Sequence, residues 1–179
     1  PAILLPVFTY LAVGIVEELL ARGYLLQNLA EGFNLRQVGW RGALLSAWVV
    51  SSALFGLAHL GNPNGTLRSS AYLMVSGMLL GLGYVLSGEL AIPIGLHITW
   101  NFFEGAVFGF PVSGLSPGTT FIAVVEQGPD AWTGGAFGPE AGFIGLLAAA
   151  IGGLLILAWV RLRRGRVALA ESIAEPPRA

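Results

Sequence analysis

Five apolar segments, each about long enough to cross a bilayer, dominate this chain. They fall near residues 2–29, 42–60, 70–86, 90–110 and 141–160. A spanning helix needs roughly 20 consecutive apolar residues. Only 11% of the residues are charged, against about 25% in soluble domains. Because a bilayer core offers no water to backbone groups, the sequence predicts an all-α fold, a polytopic bundle of about five transmembrane helices.

Short runs of turn-forming residues connect these segments. Residues 61–65, Gly-Asn-Pro-Asn-Gly, end the second segment, and residues 87–89, Ser-Gly-Glu, form a tight turn between the third and the fourth. Pro93 lies near the start of the fourth segment, where the first turn of a helix tolerates proline. Residues 111–140 are rich in Gly and Pro, and we predict that they form a surface or re-entrant loop.

The distribution of arginine predicts how the chain is oriented. Four arginines follow the last apolar segment directly: Arg161, Arg163, Arg164 and Arg166. Because basic residues are enriched on the cytoplasmic side, we predict a cytoplasmic C-terminus. Counting back through five crossings places Arg36 and Arg41 in the cytoplasm and Arg68 outside. We predict an integral protein of a bacterial inner membrane.

The domain organisation is simple. We predict one transmembrane helical domain over residues 1–167 and a disordered tail over residues 168–179, because polar chain ends are seldom ordered unless they are packed. The chain begins inside an apolar stretch without an initiator Met. We therefore expect an N-terminally truncated fragment that lacks one or more leading helices.

Two adjacent carboxylates, Glu17 and Glu18, interrupt the first apolar segment. An ionised carboxylate near the bilayer centre costs roughly 2.5–3.5 kcal/mol, so such residues usually face a protein interior or a wet cavity and mark a working site. Successive side chains on a helix point about 100° apart. Glu18 and Arg22, four residues apart, lie on one face and can form an ion pair. Glu17 is then left to face a polar cavity; the alternative is that both acids pair with arginines of the bundle.

Both histidines of the chain also fall within apolar segments. His59 lies four residues after Phe55 and shares its helix face. His97 lies four residues before Asn101, and Glu104 continues that face. A single intramembrane His more often has a structural role. Two His with an unpaired Glu and an Asn can supply a general base, a second proton carrier and an oxyanion donor.

The count of crossings separates the two histidines in depth. It places His59 toward the outer end of its helix and His97 toward the inner end of its own. The two can meet only if one helix is broken or begins deeper in the bundle. Pro93 makes the fourth segment the candidate.

Three motifs, in this order, resemble those of a known family. They are Glu-Glu-x-x-x-Arg at 17–22, Phe-x-x-x-His at 55–59 and His-x-x-x-Asn at 97–101. On three successive helices they are similar to the CPBP family of intramembrane proteases, also called the Abi family. This family takes in the type II CAAX prenyl endopeptidases and bacterial bacteriocin-processing and immunity-type proteins. The resemblance covers residues 6–103, which it identifies as the catalytic core.

The resemblance implies an intramembrane endopeptidase that hydrolyses a membrane-associated or lipidated peptide or protein. Glu17 and His59 would hold and deprotonate the attacking water. His97 and Asn101 would stabilise the oxyanion of the tetrahedral intermediate. Three further residues would support the site: Glu18, Arg22 and Phe55. The expected partners are the peptide substrate and the lipid bilayer.

Metal dependence stays open at this point. Glu17, His59 and His97 offer two imidazoles and a carboxylate, the ligand set of many catalytic zinc sites. The chain lacks the His-Glu-x-x-His motif of zincins, and the resemblance favours a Glu-activated water without a metal. We expect no cofactor, with a divalent metal such as zinc on those three residues as the alternative.

Composition excludes several classes of protein and leaves two alternatives. The chain contains no cysteine, which excludes disulfides, thiolate catalysis and Cys-ligated metals. A net charge of -1 without a basic patch gives no footprint for nucleic acid. One alternative is a non-enzymatic immunity or chaperone-like factor of the same fold. The other is a proton or ion transporter, since buried Glu and His also form proton relays, although residues 141–160 are uniformly apolar.

Overall fold

The computed structural model describes residues 4–175, and this part of the chain is built from helices joined by turns and loops. Five helices form the framework: α1 (Leu4–Phe33), α2 (Gly39–Ala58), α3 (Leu67–Ser87), α4 (Ala91–Asn101) and α5 (Phe143–Arg164). A 3-10 turn, His59–Gly61, extends α2, and the π-helical residues Phe102–Val107 extend α4. The predicted all-α membrane bundle is confirmed.

Within the described residues 4–175, four helices are long and apolar enough to cross a membrane, where the sequence predicted about five. They are Leu4–Phe33, Gly39–Gly61, Leu67–Ser87 and Phe143–Arg164. The fourth predicted segment contains α4, which stops short because the chain turns at Gly109, where φ is 76°. The N–H groups of Phe121 and Ile122 then donate to the terminal carbonyls of Ala106 and Val107. The Gly- and Pro-rich connection therefore packs against the end of α4.

Small residues bring α2 and α3 into close contact. A methyl group added to Gly77 would lie 3.2 Å from the Cα and carbonyl oxygen of Ser52, and one added to Gly56 would collide with the Ser70 carbonyl. Small residues of this kind let helix backbones approach closely in membranes. This contact holds the C-terminal end of α2, and with it His59, against α3.

The fourth helix follows α3 after a tight turn and packs against α3 and α1. Ile92 packs against Gly83, about one turn before the end of α3, and Leu90 packs against Gly23 of α1. Pro93 lies in the first turn of α4 and does not break it. His97 lies six residues into this helix and, like His59, within 4 Å of Glu17 Oε2.

The chain after α5 packs against the bundle, which differs from the predicted disordered tail. The Ala170 N–H donates to the Val85 carbonyl, and the Asn34 amide donates to the Ala174 carbonyl. Ala174 is fully buried. These contacts order the chain over residues 168–175; its last four residues lie outside the described part.

Candidate active site

Glu18 lies at the centre of a buried polar network. Its Oε1 accepts hydrogen bonds from Arg22 Nη1 and His97 Nδ1, each at 2.7 Å. Arg22 Nη2 donates to the Gly77 carbonyl of α3 at 2.8 Å. The predicted ion pair between Glu18 and Arg22 is confirmed. The network joins α1, α3 and α4 around one carboxylate.

The helix changes register directly after this carboxylate. α1 is α-helical over Leu4–Glu18, π-helical over Leu19–Leu26 and α-helical again over Gln27–Phe33. Short π-helical stretches inside α-helices are frequent at functional sites. Here Ala21 and Arg22 are buried within the π-helical stretch, so the register change coincides with the ion pair.

Glu17, one position earlier, has the opposite environment. Its side chain is 35% exposed, whereas that of Glu18 is 0% exposed. Glu17 Oε2 lies 3.8 Å from His59 Nε2 and 3.9 Å from His97 Nε2. Among the described residues this oxygen has no hydrogen-bond partner. Such gaps are too long for direct hydrogen bonds, but they fit a bridging water about 2.8 Å from each atom.

The hydrogen bonds of the two imidazoles determine which ring nitrogen faces Glu17. His59 Nδ1 lies 2.8 Å from the Phe55 carbonyl oxygen, and His97 Nδ1 lies 2.7 Å from Glu18 Oε1. A carbonyl and a carboxylate only accept hydrogen bonds, so each Nδ1 carries a proton. In the neutral rings each Nε2 is therefore an acceptor directed at the same carboxylate oxygen. A water molecule between these three acceptors can donate its two hydrogens to two of them.

Phe55 packs between the charged network and the imidazoles. Its ring centroid lies 4.8 Å from that of His59 and 6.1 Å from that of His97. The Arg22 guanidinium lies over the same ring, 4.6 Å from its centroid. A cation over an aromatic face is attracted by the ring quadrupole. Phe55 thus links the orientation of Arg22 to that of both histidines.

The four predicted catalytic residues line one cavity of about 490 Å³. They are Glu17, His59, His97 and Asn101. The cavity lies between the N-terminal half of α1 and the loop at residues 112–119. A smaller cavity of about 100 Å³ lies behind the two imidazoles and is lined by α3 and α5. The structure therefore brings together the residues that the motif spacing singled out.

Glu104 does not continue the face of His97 and Asn101, as the sequence suggested. The π-helical turns from Phe102 to Val107 change the register, and Glu104 lines a groove on another side of α4. A helical-wheel argument assumes one constant periodicity, which fails at this point.

Sequence patterns did not reveal three other residues near the cavity: Asn62, Ser113 and Glu140. The side-chain oxygen Glu140 Oε2 accepts hydrogen bonds from the backbone N–H and the hydroxyl of Ser113, at 2.9 and 2.8 Å. Asn62 Nδ2 donates to the Ser113 carbonyl at 2.9 Å. Ser113 and Glu140 belong to the Gly- and Pro-rich connection, where no periodicity predicts which side chains meet.

The alternative of a metal centre concerns three of the same side chains. Glu17, His59 and His97 have the donor atoms that zinc prefers. Within residues 4–175, however, no group of three or more His, Asp or Glu side chains is placed so that it could hold a metal ion. The chemistry considered below uses no metal.

A membrane helix bundle that directs a carboxylate, two imidazoles and an amide into one cavity has the groups that hydrolysis of an acyl bond requires. A sequence model of the family described as type II CAAX prenyl endopeptidase Rce1-like matches residues 1–103. The match covers more than half of the chain, which therefore belongs to this family. It is an integral membrane protein of a protease family, as the motifs indicated. No curated protein and no solved structure matches the chain.

Proposed function

We propose that the chain is an intramembrane endopeptidase that hydrolyses a peptide bond of a membrane-associated or lipidated peptide or protein. One observation carries the proposal: Glu17 Oε2 lies within 4 Å of the Nε2 atoms of His59 and His97 and has no hydrogen-bond partner among residues 4–175. These three side chains line a cavity of about 490 Å³. Family membership supplies the reaction class.

Glu17 and His59 activate the water. A water bridging Glu17 Oε2 and His59 Nε2 donates one hydrogen to each acceptor, which directs its oxygen lone pairs away from them. Glu17 removes a proton as the oxygen attacks the carbonyl carbon of the scissile peptide. That proton is then delivered to the nitrogen of the leaving amine as the C–N bond breaks. General base catalysis of this kind contributes about 10²–10⁴ in rate.

His97 and Asn101 stabilise the oxyanion. The Asn101 amide can donate directly. His97 can donate from Nε2 when both ring nitrogens carry protons, and its Nδ1 is held by Glu18 Oε1 at 2.7 Å. One oxyanion donor contributes roughly 10²–10³ in rate. In this arrangement Glu18 acts on the chemistry through His97.

An apolar groove next to the site supports a lipid-bearing substrate. The groove has a volume of about 760 Å³ and is lined mainly by apolar side chains of α4 and the following connection, including Phe103 and Phe108. Leu96 and Trp100 line both this groove and the small cavity behind the imidazoles. A lipid chain in the groove would hold the attached peptide near the catalytic cavity. We propose that activity needs no metal and that the C-terminus is cytoplasmic in a bacterial inner membrane.

The test is cleavage by purified protein in proteoliposomes. The substrates are one fluorogenic peptide with a prenyl thioether and the same peptide without it. We expect the wild type to cleave the prenylated peptide faster, with full activity in the presence of a chelator and no stoichiometric metal by elemental analysis. Glu17→Ala, His59→Ala and His97→Ala should each abolish cleavage while the protein remains folded.

Glu171→Gln provides the matched control, since it alters an exposed carboxylate far from the cavity. Retained cleavage in any of the three alanine variants would show that the replaced residue is not required for catalysis. Binding of the prenylated peptide without cleavage would favour the non-enzymatic alternative. Loss of activity on chelation, restored by zinc, would overturn the metal-free mechanism.

A further inference from the structure

A second pair of buried acids has no part in the proposed catalytic steps. Glu104, at the end of α4, and Glu140, in the turn before α5, are each only 7% exposed. Both carboxyl oxygens of Glu104 are buried without a hydrogen-bond partner among the described residues. Both acids also lie beyond residues 1–103, the part that matches the family. Family membership therefore assigns them no role.

The two carboxyl groups are neighbours that can share a proton. The Glu104 carboxyl lies beside the turn that carries Glu140, since a methyl group added to Gly138, two residues before Glu140, would lie 3.4 Å from Glu104 Oε1. Glu140 is also the charged group that acts most strongly on Glu104. The Trp100 indole and the Glu140 backbone N–H also lie near Glu104, outside good hydrogen-bonding geometry. Two ionised carboxylates cannot both persist in such a place, so one proton held between them removes the repulsion and gives Glu104 its missing partner.

Glu140 reaches the catalytic cavity through Ser113. The backbone N–H and the hydroxyl of Ser113 both donate to Glu140 Oε2. The Ser113 carbonyl accepts from Asn62, three residues after His59. Ser113 has a φ of 49°, a left-handed conformation that costs a non-glycine residue free energy unless its surroundings hold it.

Ser113, which these hydrogen bonds hold in place, forms part of the wall of the catalytic cavity. Ser113 lines both the cavity that contains Glu17 and the smaller cavity behind the imidazoles. Gly114, the next residue, is also held in place, because its N–H donates to the Phe137 carbonyl at 2.7 Å. A displacement of Ser113 would therefore open the wall of the catalytic cavity opposite α1.

We propose that Glu140 is a positioning residue for the proposed protease reaction: together with Glu104 and one shared proton, it clamps Ser113 and the segment 111–118 as the wall of the catalytic cavity. The inference rests on the proposed function and deepens it. The clamp joins the end of α4, the turn before α5 and the end of α2 around the reacting atoms. Neither acid touches the attacking water.

The clamp should depend on pH. Burial raises the pKa of Glu140, against the lowering effect of its hydrogen bonds from Ser113. The other titratable groups that act on the pair are Tyr10 of α1 and the imidazoles of His59 and His97. At neutral or lower pH the shared proton is present and the clamp is closed. As the pH rises the proton is lost, the two negative charges repel, and the wall should loosen.

Two substitutions of Glu140 separate the positioning role from a general structural one. In Glu140→Gln, the amide oxygen can still accept from Ser113 and the amide N–H can donate to Glu104, so no shared proton is needed. In Glu140→Ala, the clamp is absent at every pH. We expect Glu140→Ala to lower kcat/KM about tenfold or more, the equivalent of one or two lost hydrogen bonds. Glu140→Gln should keep neutral-pH activity and lose the alkaline decline that the wild type shows.

A spectroscopic measurement tests the clamp without using activity. The chain has no cysteine, so Ser116→Cys, at an exposed position in the segment, gives a unique attachment site for a nitroxide spin label. In proteoliposomes the label should become more mobile at alkaline pH with Glu140 present. It should be mobile at all pH values in Glu140→Ala and insensitive to pH in Glu140→Gln. Glu171→Gln is the matched control and should behave as the wild type.

The outcomes distinguish this inference from the proposed function. If the wild type does not cleave the prenylated peptide, the proposed function fails, and the label still reports on the clamp. If Glu17→Ala is inactive but Glu140→Ala matches the wild type in pH profile and label mobility, the clamp alone is overturned. Equal loss of activity in Glu140→Gln and Glu140→Ala, without a change of pH profile, would also overturn the shared-proton clamp.

Discussion

Glu17 and Glu18 are neighbours of the same residue type with opposite surroundings. The Glu18 carboxylate is inaccessible to solvent and accepts two hydrogen bonds at 2.7 Å. The Glu17 carboxylate is about one-third exposed and faces the Nε2 atoms of two imidazoles. A helix turns about 100° per residue, so one position is enough to move a carboxylate from a scaffold into a cavity. A buried carboxylate that is ion-paired with an arginine holds structure together, whereas one that faces a cavity without a cation is available for chemistry.

The largest expected effect is on catalysis, and it comes from replacing Glu17 by Gln. The same replacement at Glu18 provides the comparison. Glu17→Gln should lower kcat/KM by about 10³, because the amide cannot accept the proton of the water. Its unfolding free energy should change by less than about 0.5 kcal/mol, as for a surface position without a special contact. Glu18→Gln should mainly destabilise the protein, because it removes the charge that pairs with Arg22, and should lower kcat/KM less than Glu17→Gln does. The measurements are cleavage of the prenylated peptide and reversible unfolding in mixed detergent micelles. Equal effects of both variants on both quantities would refute the division between the two acids.

The second prediction concerns the buried ion pair between Glu18 and Arg22. Arg22→Met keeps most of the side-chain volume but leaves the Glu18 charge buried without its cation, which should cost about 3–5 kcal/mol of unfolding free energy. The double variant Glu18→Gln with Arg22→Met removes both charges and should be less destabilised than the sum of the single variants. The unfolding free energies of the four proteins form a double-mutant cycle. A coupling energy near zero would show that the ion pair does not stabilise the fold.

The third prediction concerns Asn101 as a donor to the oxyanion. Asn101→Ala should lower kcat by about 10² through the loss of one oxyanion donor. The affinity for the prenylated peptide should remain nearly unchanged, since the interaction is made only in the transition state. Steady-state kinetics separate kcat from KM. A rise in KM with kcat preserved would instead assign Asn101 to substrate binding.

The smallest effect is expected at Phe55, which packs between Arg22 and the two imidazoles. Phe55→Leu keeps an apolar side chain but removes the aromatic face under Arg22, which should cost about 1–2 kcal/mol of unfolding free energy. Activity should fall less than tenfold, because the Phe55 carbonyl that holds His59 Nδ1 is part of the backbone. Phe55→Tyr, which keeps the ring face, is the control for unfolding. A loss of activity as large as in Glu17→Gln would show that Phe55 has a direct part in the reaction.

The local features of the site could be predicted because they depend on helix geometry alone. Glu18 and Arg22 meet because residues four apart share a face, and the same spacing aligns His97 with Asn101. The apolar lengths likewise predicted spanning helices. Glu104 shows where this reasoning ends, since the π-helical turns after Asn101 move it to another side of α4.

The contacts between distant parts of the chain could not be predicted in this way. Spacing suggested that His59 and His97 lie at different depths; in the structure both lie within 4 Å of Glu17 Oε2, because their helices pack together around that carboxylate. The bond between Ser113 and Glu140 spans 27 residues of irregular chain. Side-chain periodicity carries information only along one helix, so the amino-acid pattern specified the helices, the Glu18–Arg22 pair and the candidate catalytic groups. The convergence of Glu17 with two imidazoles, and the wall that Glu140 holds around them, arose from packing between helices and from a loop without periodicity.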